Sequence, residues 1–188
     1  MAFLTWLENT GFSAWILGSP SVLAYPTVLA FHTFSMAAVA GVSSAIALRT
    51  LGVAPDLPLA GLDRYLPIVW GGFWVSFVSG VMLFVGDATV FATSPGFIIK
   101  LLAIAVALVS VRRLKGLLFG RGASGNTPSA QAKSTARLVL LCGLVAVTAG
   151  RLTAYDAFIG QQTAVGVLIL TLVLGAGYAV MSRVTSTR

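Results

Sequence analysis

The sequence predicts an all-α membrane protein: a bundle of five transmembrane helices preceded by an N-terminal interfacial helix. Three observations carry this. Of 188 residues, 57% are apolar and only 9% are charged, whereas a soluble domain carries about 25% charged residues. Mean hydropathy is +0.96. Five apolar segments come to about the 20 residues a helix needs to cross hydrocarbon. A soluble fold of this length would have to bury its apolar excess in one modest core and cover it with polar residues the chain lacks. A soluble enzyme and a disordered chain are thereby excluded. So is a disulfide scaffold, since Cys142 is the sole cysteine and lies in an apolar run.

The opening stretch AFLTWLENTGFSAWIL is short and mixed. Trp6 and Trp15 suit the headgroup layer, so it reads as an interfacial helix over residues 3–17. The first 22 residues contain no Lys or Arg and therefore lack the basic start of a secretory signal. Pro20 and Pro26 punctuate the entry to the first span. The spans are read at 23–48, 65–86, 97–119, 137–157 and 163–181. Residues 120–136 are rich in Gly, Ser, Thr and Ala and read as a flexible cytoplasmic loop. The chain forms one integral membrane domain over 1–188, without a convincing internal repeat.

Loop charge orients the bundle. Arg49 and Arg64 lie in one connection, Arg112, Arg113, Lys115, Arg121, Lys133 and Arg137 in another, and Arg183 and Arg188 in the tail. With five spans these three regions share one side, which the positive-inside rule makes cytoplasmic. The 87–96 and 157–162 connections carry no Lys or Arg. The N-terminus is thus expected outside and the C-terminus inside, in a bacterial inner membrane. The net charge of +7 is spread between spanning segments without aromatic interleaving, so nucleic acid is not an expected partner.

Without a hydrophobic drive between helices in lipid, small residues must permit close packing. Thr33, Ala37, Gly41 and Ala45 form one such face, Gly72, Ser76 and Gly80 a second, and Gly143, Ala146 and Gly150 a third. Packing alone accounts for them.

Ionisable residues at membrane depth need another explanation, because each costs about 2.5–3.5 kcal/mol on insertion scales. His32 lies about 10 Å below the outer boundary and Lys100 about 5 Å. Arg151, on a span running the other way, also falls in the outer third, while Asp87 and Asp156 sit at the rim. Snorkelling, or pairing of Lys100 with Asp87 and Arg151 with Asp156, is the structural explanation for the cations, and a satisfied core histidine hydrogen-bonded to a backbone carbonyl or a Ser is that for His32. The functional one is a shared pocket. Two fixed cations disfavour a cation conduit and favour an anionic or electron-rich ligand. A haem b fits, with neutral imidazole on the iron and Lys or Arg on the propionates. A quinone headgroup fits as well. Met36 follows His32 by one turn, but residues at that spacing share a helix face and cannot ligate one haem from opposite sides. A copper site from His32, Met36 and Met82 is chemically sound; Cys142 falls in the other half of the bilayer. No nucleophile–base pair, HExxH, CxxC or phosphate loop is present.

The first span reads VLAFHTFSMAAVAG and the third begins SPGFIIKLLAIAVALV; LRTLG (48–52), SGVMLF (79–84) and AGRLTAY (149–155) are further marked segments. These resemble the CopD-like superfamily of small bacterial membrane proteins, and within it a five-span group. The superfamily includes copper-resistance proteins of CopD type and haem-dependent membrane protoporphyrinogen oxidases. The resemblance covers about the first 110 residues well and AGRLTAY more loosely. It implies a haem b ligand at His32 and a functional partner at Lys100. With one His in the chain, bis-His ligation within a monomer is excluded. A five-coordinate haem, a His/Lys pair, a site shared across a homo-oligomer, or no haem all stay open.

The resulting expectation is a membrane redox protein binding haem b, or a quinone, through His32, Lys100 and Arg151, and transferring electrons near the periplasmic face. Two alternatives stand beside it: copper or soft-metal handling through His32, Met36 and Met82, and a non-catalytic anchor or assembly subunit. The expected partners are the lipid bilayer and a periplasmic redox or metal-handling protein.

Overall fold

The computed structural model describes residues 1–120 and 127–153, together with Gly166, Ile169, Leu172 and Val173. The fifth expected span, 163–181, and Asp156 lie essentially outside the described residues. Every regular element described is helical. Three helical stretches, Tyr25–Thr50, Leu59–Gly86 and Ala130–Leu152, are long and apolar enough to cross a membrane.

The N-terminal segment is two short helices rather than one, α1 (Ala2–Glu8) and α2 (Gly11–Gly18). Thr10 makes the break: its hydroxyl accepts the Ser13 N–H at 3.3 Å and starts a new helix. Trp6 and Trp15 are both exposed on this pair. The long helix α3 (Tyr25–Thr50) starts with Pro26 in its first turn, where a missing N–H costs nothing. It ends at Gly52, whose φ of +102° suits glycine. The Val53 N–H bonds back to Leu48 and the Gly52 N–H to Arg49, the paired bonds of a Schellman stop.

Two turns of 3-10 helix, Leu59–Gly61 and Asp63–Tyr65, lead into α4 (Leu66–Gly86). The short α5 (Ala88–Thr93) follows. Ser94 caps α6 (Pro95–Phe119) by accepting the Phe97 N–H, with Pro95 at its first position. Helix α7 (Ala130–Leu152) begins seven residues before the expected 137. The Ser129 hydroxyl accepts the Ala132 N–H there, so polar turns taken as linker are helical. The expectation rested on apolar periodicity, which a solvated first turn does not show.

Helix α3 packs against both α4 and α7, and α7 packs along α6. An apolar core fills one end, where Ile46 and Ala47 meet Leu66, Val69, Val111, Leu114, Ala136 and Val139. Arg112, Lys115 and Arg137 also lie at this basic end. The α3–α4 crossing is close. A Cβ on Gly72 would stand 2.9 Å from Val39 Cγ2 and 3.2 Å from the Ser35 carbonyl oxygen.

The expected small-residue face of α3 is not the one used among the described residues. Thr33, Ala37, Gly41 and Ala45 are all exposed, and a Cβ on Gly41 would meet nothing within 4 Å. The packed side carries Val28, Ser35, Ser43 and Ile46. Ser35 is two residues from Thr33 and from Ala37, hence about 200° around the helix. Spacing alone identified a stripe but not which stripe meets a neighbour.

Gly72→Ala is therefore expected to destabilise the fold by about 1–3 kcal/mol through overpacking. Gly41→Ala, facing open space, should change stability by less than about 0.5 kcal/mol. Reversible unfolding in mixed micelles measures both.

Candidate functional site

At the end of the bundle opposite the apolar core, α3 brings His32 onto α4. Nδ1 donates to the Ser76 carbonyl oxygen at 3.0 Å and to Ser79 Oγ at 3.1 Å. A carbonyl can only accept, and the Ser79 hydroxyl already donates to the Val75 carbonyl at 2.6 Å. The proton thus belongs on Nδ1, and the neutral ring carries its free lone pair on Nε2. Ser79 is 5% exposed, so the partner that orients the ring is fixed. Gly80 completes the seat: a Cβ there would lie 3.1 Å from His32 Cε1. Glycine at that position lets the imidazole lie flat against the α4 backbone.

Lys100 comes from the second turn of α6 and is half-buried. Its alkyl chain crosses α7 at Gly150, where a Cβ would be 3.3 Å from both Cδ and Cε and 3.5 Å from Nζ. Nζ stands 5.9 Å from the Phe97 ring centroid, within reach of a cation–π attraction. Its charge acts on His32, and among the described residues no carboxylate is set against Lys100. The expected pairing with Asp87 is not made. Phe97 in turn packs with Phe84 and Phe91 at centroid distances of 5.6 and 5.5 Å. Five helices contribute: α3 and α4 hold the oriented imidazole, α6 and α7 the ammonium, and Phe84, Phe91 and Phe97 of α4, α5 and α6 set aromatic rings beside the ammonium.

Arg151 is exposed in the last turn of α7, one residue past Gly150. Met36 is half-buried one turn beyond His32, and Met82 half-buried two residues past Gly80. Cys142 is half-buried on α7. Among the described residues no three of His, Cys, Asp and Glu group as metal ligands would.

Sequence reasoning missed three features. A hydrogen bond from His32 to a backbone carbonyl or a Ser was expected, but its partners were not identified: Ser76 was read as packing and Ser79 was not singled out. Arg49 was read as a topology marker but is 5% exposed. Its Nη2 donates to the Pro55 carbonyl at 2.8 Å and its Nε to that of Leu57, which ties the following loop to α3. Glu8 was read only as the lone early charge. Its carboxylate accepts both the backbone N–H and the hydroxyl of Thr89, each at 2.7 Å, and clasps α1 to α5.

Compared with protein-family models, with curated proteins and with solved structures, the chain matches none of them. The site is therefore read from its own chemistry.

The two Thr89 hydrogen bonds hold the Glu8 carboxyl below the usual carboxylate range. Its folded pKa is depressed, so the clasp is complete at neutral pH and is lost as pH falls through that lowered value. The protection factor of the Thr89 amide should drop over that acidic interval. In Glu8→Gln it should be low at neutral pH already and insensitive to acid.

Proposed function

We propose that this is a five-pass protein of the bacterial inner membrane, N-terminus outside. Its His32–Lys100 site binds the ring of a quinone in the outer half for electron transfer near the periplasmic face. Five passes follow from α3, α4, α6, α7 and the apolar 163–181 segment. The orientation follows from the cations gathered at the end that carries Arg49, Arg112 and Arg137. The topology is checked by labelling in a Cys142→Ser background. An impermeant maleimide should label Ser21→Cys in intact cells, and Ser124→Cys only after the membrane is opened.

One observation carries the redox reading: an imidazole with Nδ1 committed to α4 shares this end of the bundle with an ammonium that no carboxylate among the described residues neutralises. Such a pair is complementary to a ligand whose oxygens gain and lose protons and negative charge. Lys100 donates to a carbonyl oxygen and stabilises charge developing there. His32 Nε2 accepts a proton from a quinol hydroxyl. For each quinol oxidised, two electrons pass to a carrier at the outer face and two protons leave, the first by way of His32. Phe97, Phe84 and Phe91 offer rings for the flat headgroup to stack on.

The free Nε2 also favours a second reading, a haem b with His32 on the iron. The donor fits, but the chain has one His and so offers no second imidazole to the iron. A quinone ring needs no such second donor and can reach the pair from lipid between side chains.

Purification in mild detergent followed by solvent extraction measures bound quinone. Near-stoichiometric quinone is expected, falling about tenfold or more in His32→Ala and Lys100→Met, as for loss of a charged hydrogen bond. A Soret band in the reduced-minus-oxidised spectrum that His32→Ala abolishes would replace the quinone with haem. Finding neither would overturn the redox reading.

A further inference from the structure

The long helices leave one of their mutual seams open. α3 packs along α4 and along α7, and α7 packs along α6, whereas α4 and α6 make no extended backbone contact. Two side-chain contacts bridge α4 to α6. Toward the outer end the Phe84 and Phe97 rings stack with centroids 5.6 Å apart. Toward the basic end the Arg112 guanidinium carbon stands 5.1 Å from the centroid of the Trp70 ring. Trp70 and Phe84 are 14 positions apart, or about 21 Å along the helix.

Helical geometry says which side chains face the seam between these bridges. At about 100° per residue Trp70 and Phe84 differ by about 40° in azimuth, and Phe77 falls midway between them in both height and azimuth. On α6, Leu101 and Leu108 fall inside the arc of about 60° bounded by Phe97 and Arg112. Phe77 and Leu101 are 52% and 50% exposed, and Leu108 is half-buried. Residues 66–86 and 101–111 carry no charged side chain. The seam is thus apolar and, among the described residues, uncovered.

The His32–Lys100 pair stands just behind it. Gly80, the seat of the imidazole, lies one turn inward of Phe84 and about 40° from it, on the side turned to α3. Lys100 lies three residues inward of Phe97 and about 60° from it, on the side turned to α7. A membrane quinone bound at the pair carries a hydrocarbon tail that needs a way out to lipid. The α3–α4 crossing is shut by the fit of Gly72 on Val39 and of His32 on Gly80. The stem of Lys100 on Gly150 shuts the α6–α7 crossing at the same level, and α3 and α7 pack along each other. The α4–α6 seam is the way left among the described residues.

Resting on the quinone reading of the pair, we propose that the α4–α6 seam is a lateral portal: a quinone enters through it from the bilayer, and its isoprenoid tail lies against Phe77, Leu101 and Leu108. Commitment to such a tail rests on the continuity of an uncharged apolar seam with the polar pair behind it. Lipid is as apolar as the seam, so the tail gains little affinity there. What the seam sets is the route and the rate of exchange.

The test uses a benzoquinone carrying a diazirine in the second isoprenoid unit of its tail, added to the wild-type protein in nanodiscs. Irradiation should label Phe77, Leu101 and Leu108, and His32→Ala should lose that label. Val75 and Val106 are also exposed but stand about 160° and 150° round from the seam, and should stay unlabelled. Leu101→Trp, which fills the seam, should slow both loading and release about tenfold or more. Val106→Trp should keep the wild-type rates. Quinone bound in a His32-dependent manner, with label only on other faces or within 163–181, would overturn the portal and leave the quinone reading standing. Equal rates in the two Trp variants would do the same. Absence of any His32-dependent quinone would overturn the reading itself and the portal with it. The labelling needs no change to the seam, so it decides the matter where Leu101→Trp does not fold.

Discussion

The close crossing of α3 on α4 is the constraint on which the rest of the described structure depends. Gly72 and Gly80 remove the two Cβ atoms that would otherwise hold the helices apart. Only at that separation does an imidazole on one helix reach a backbone carbonyl on the other. The carbonyl of Ser76 belongs to a helix interior, where it already accepts a bond from within the helix. It uses its second lone pair for His32. Ser79 adds an acceptor whose own proton is directed at Val75. The glycines thus determine the tautomer of a histidine: remove the crossing, and Nδ1 loses the partners that assign its proton.

Lys100 answers a different requirement. An ammonium on an apolar helix keeps its charge only if something compensates for lost water. No carboxylate among the described residues does so. What the chain provides is a groove over Gly150 for the alkyl stem and the face of Phe97 for the charge. Both are weak compensations, worth less than an ion pair in a desolvated setting. A residue held this way is poorly explained by stability alone. A ligand bearing negative charge at that position would complete its surroundings.

Much of the fold was legible because lipid imposes a simple rule: long apolar segments become helices. The cores of α3, α4, α6 and α7 all fall within the expected spans. The polar first turns of α7 and the break at Thr10 were not, because both depend on a single capping hydroxyl that leaves hydropathy unchanged. The depth of His32 and Lys100 could be counted from the span boundaries, which is why they were singled out together. Their azimuth could not. Helix α3 is apolar almost all round, so nothing in its pattern distinguishes the side bearing Ser35 from the side bearing Gly41. The same ambiguity grouped Arg151 with them by depth, although it is exposed. Ser76 and Ser79 were legible in principle, since a hydroxyl near the level of an intramembrane His on a neighbouring span is the expected acceptor.

The two ends of the bundle have opposite chemistry, and this follows from one distribution of residue types. At the basic end the side chains between helices are Ile, Leu, Val and Ala, and the cations point outward to the surface, with Arg49 turned onto loop carbonyls. At the other end the helices are held by Gly and Ser contacts, and the charge is directed inward. Apolar packing makes the first end rigid without needing any bound group. The second end contains an imidazole nitrogen and an ammonium for which the described residues provide no hydrogen-bond acceptor or donor of their own. A membrane protein that needed only to be an anchor would have no reason to concentrate its interior polarity at one end. The asymmetry places apolar packing at the basic end, and unsatisfied chemistry at the end that holds His32 and Lys100.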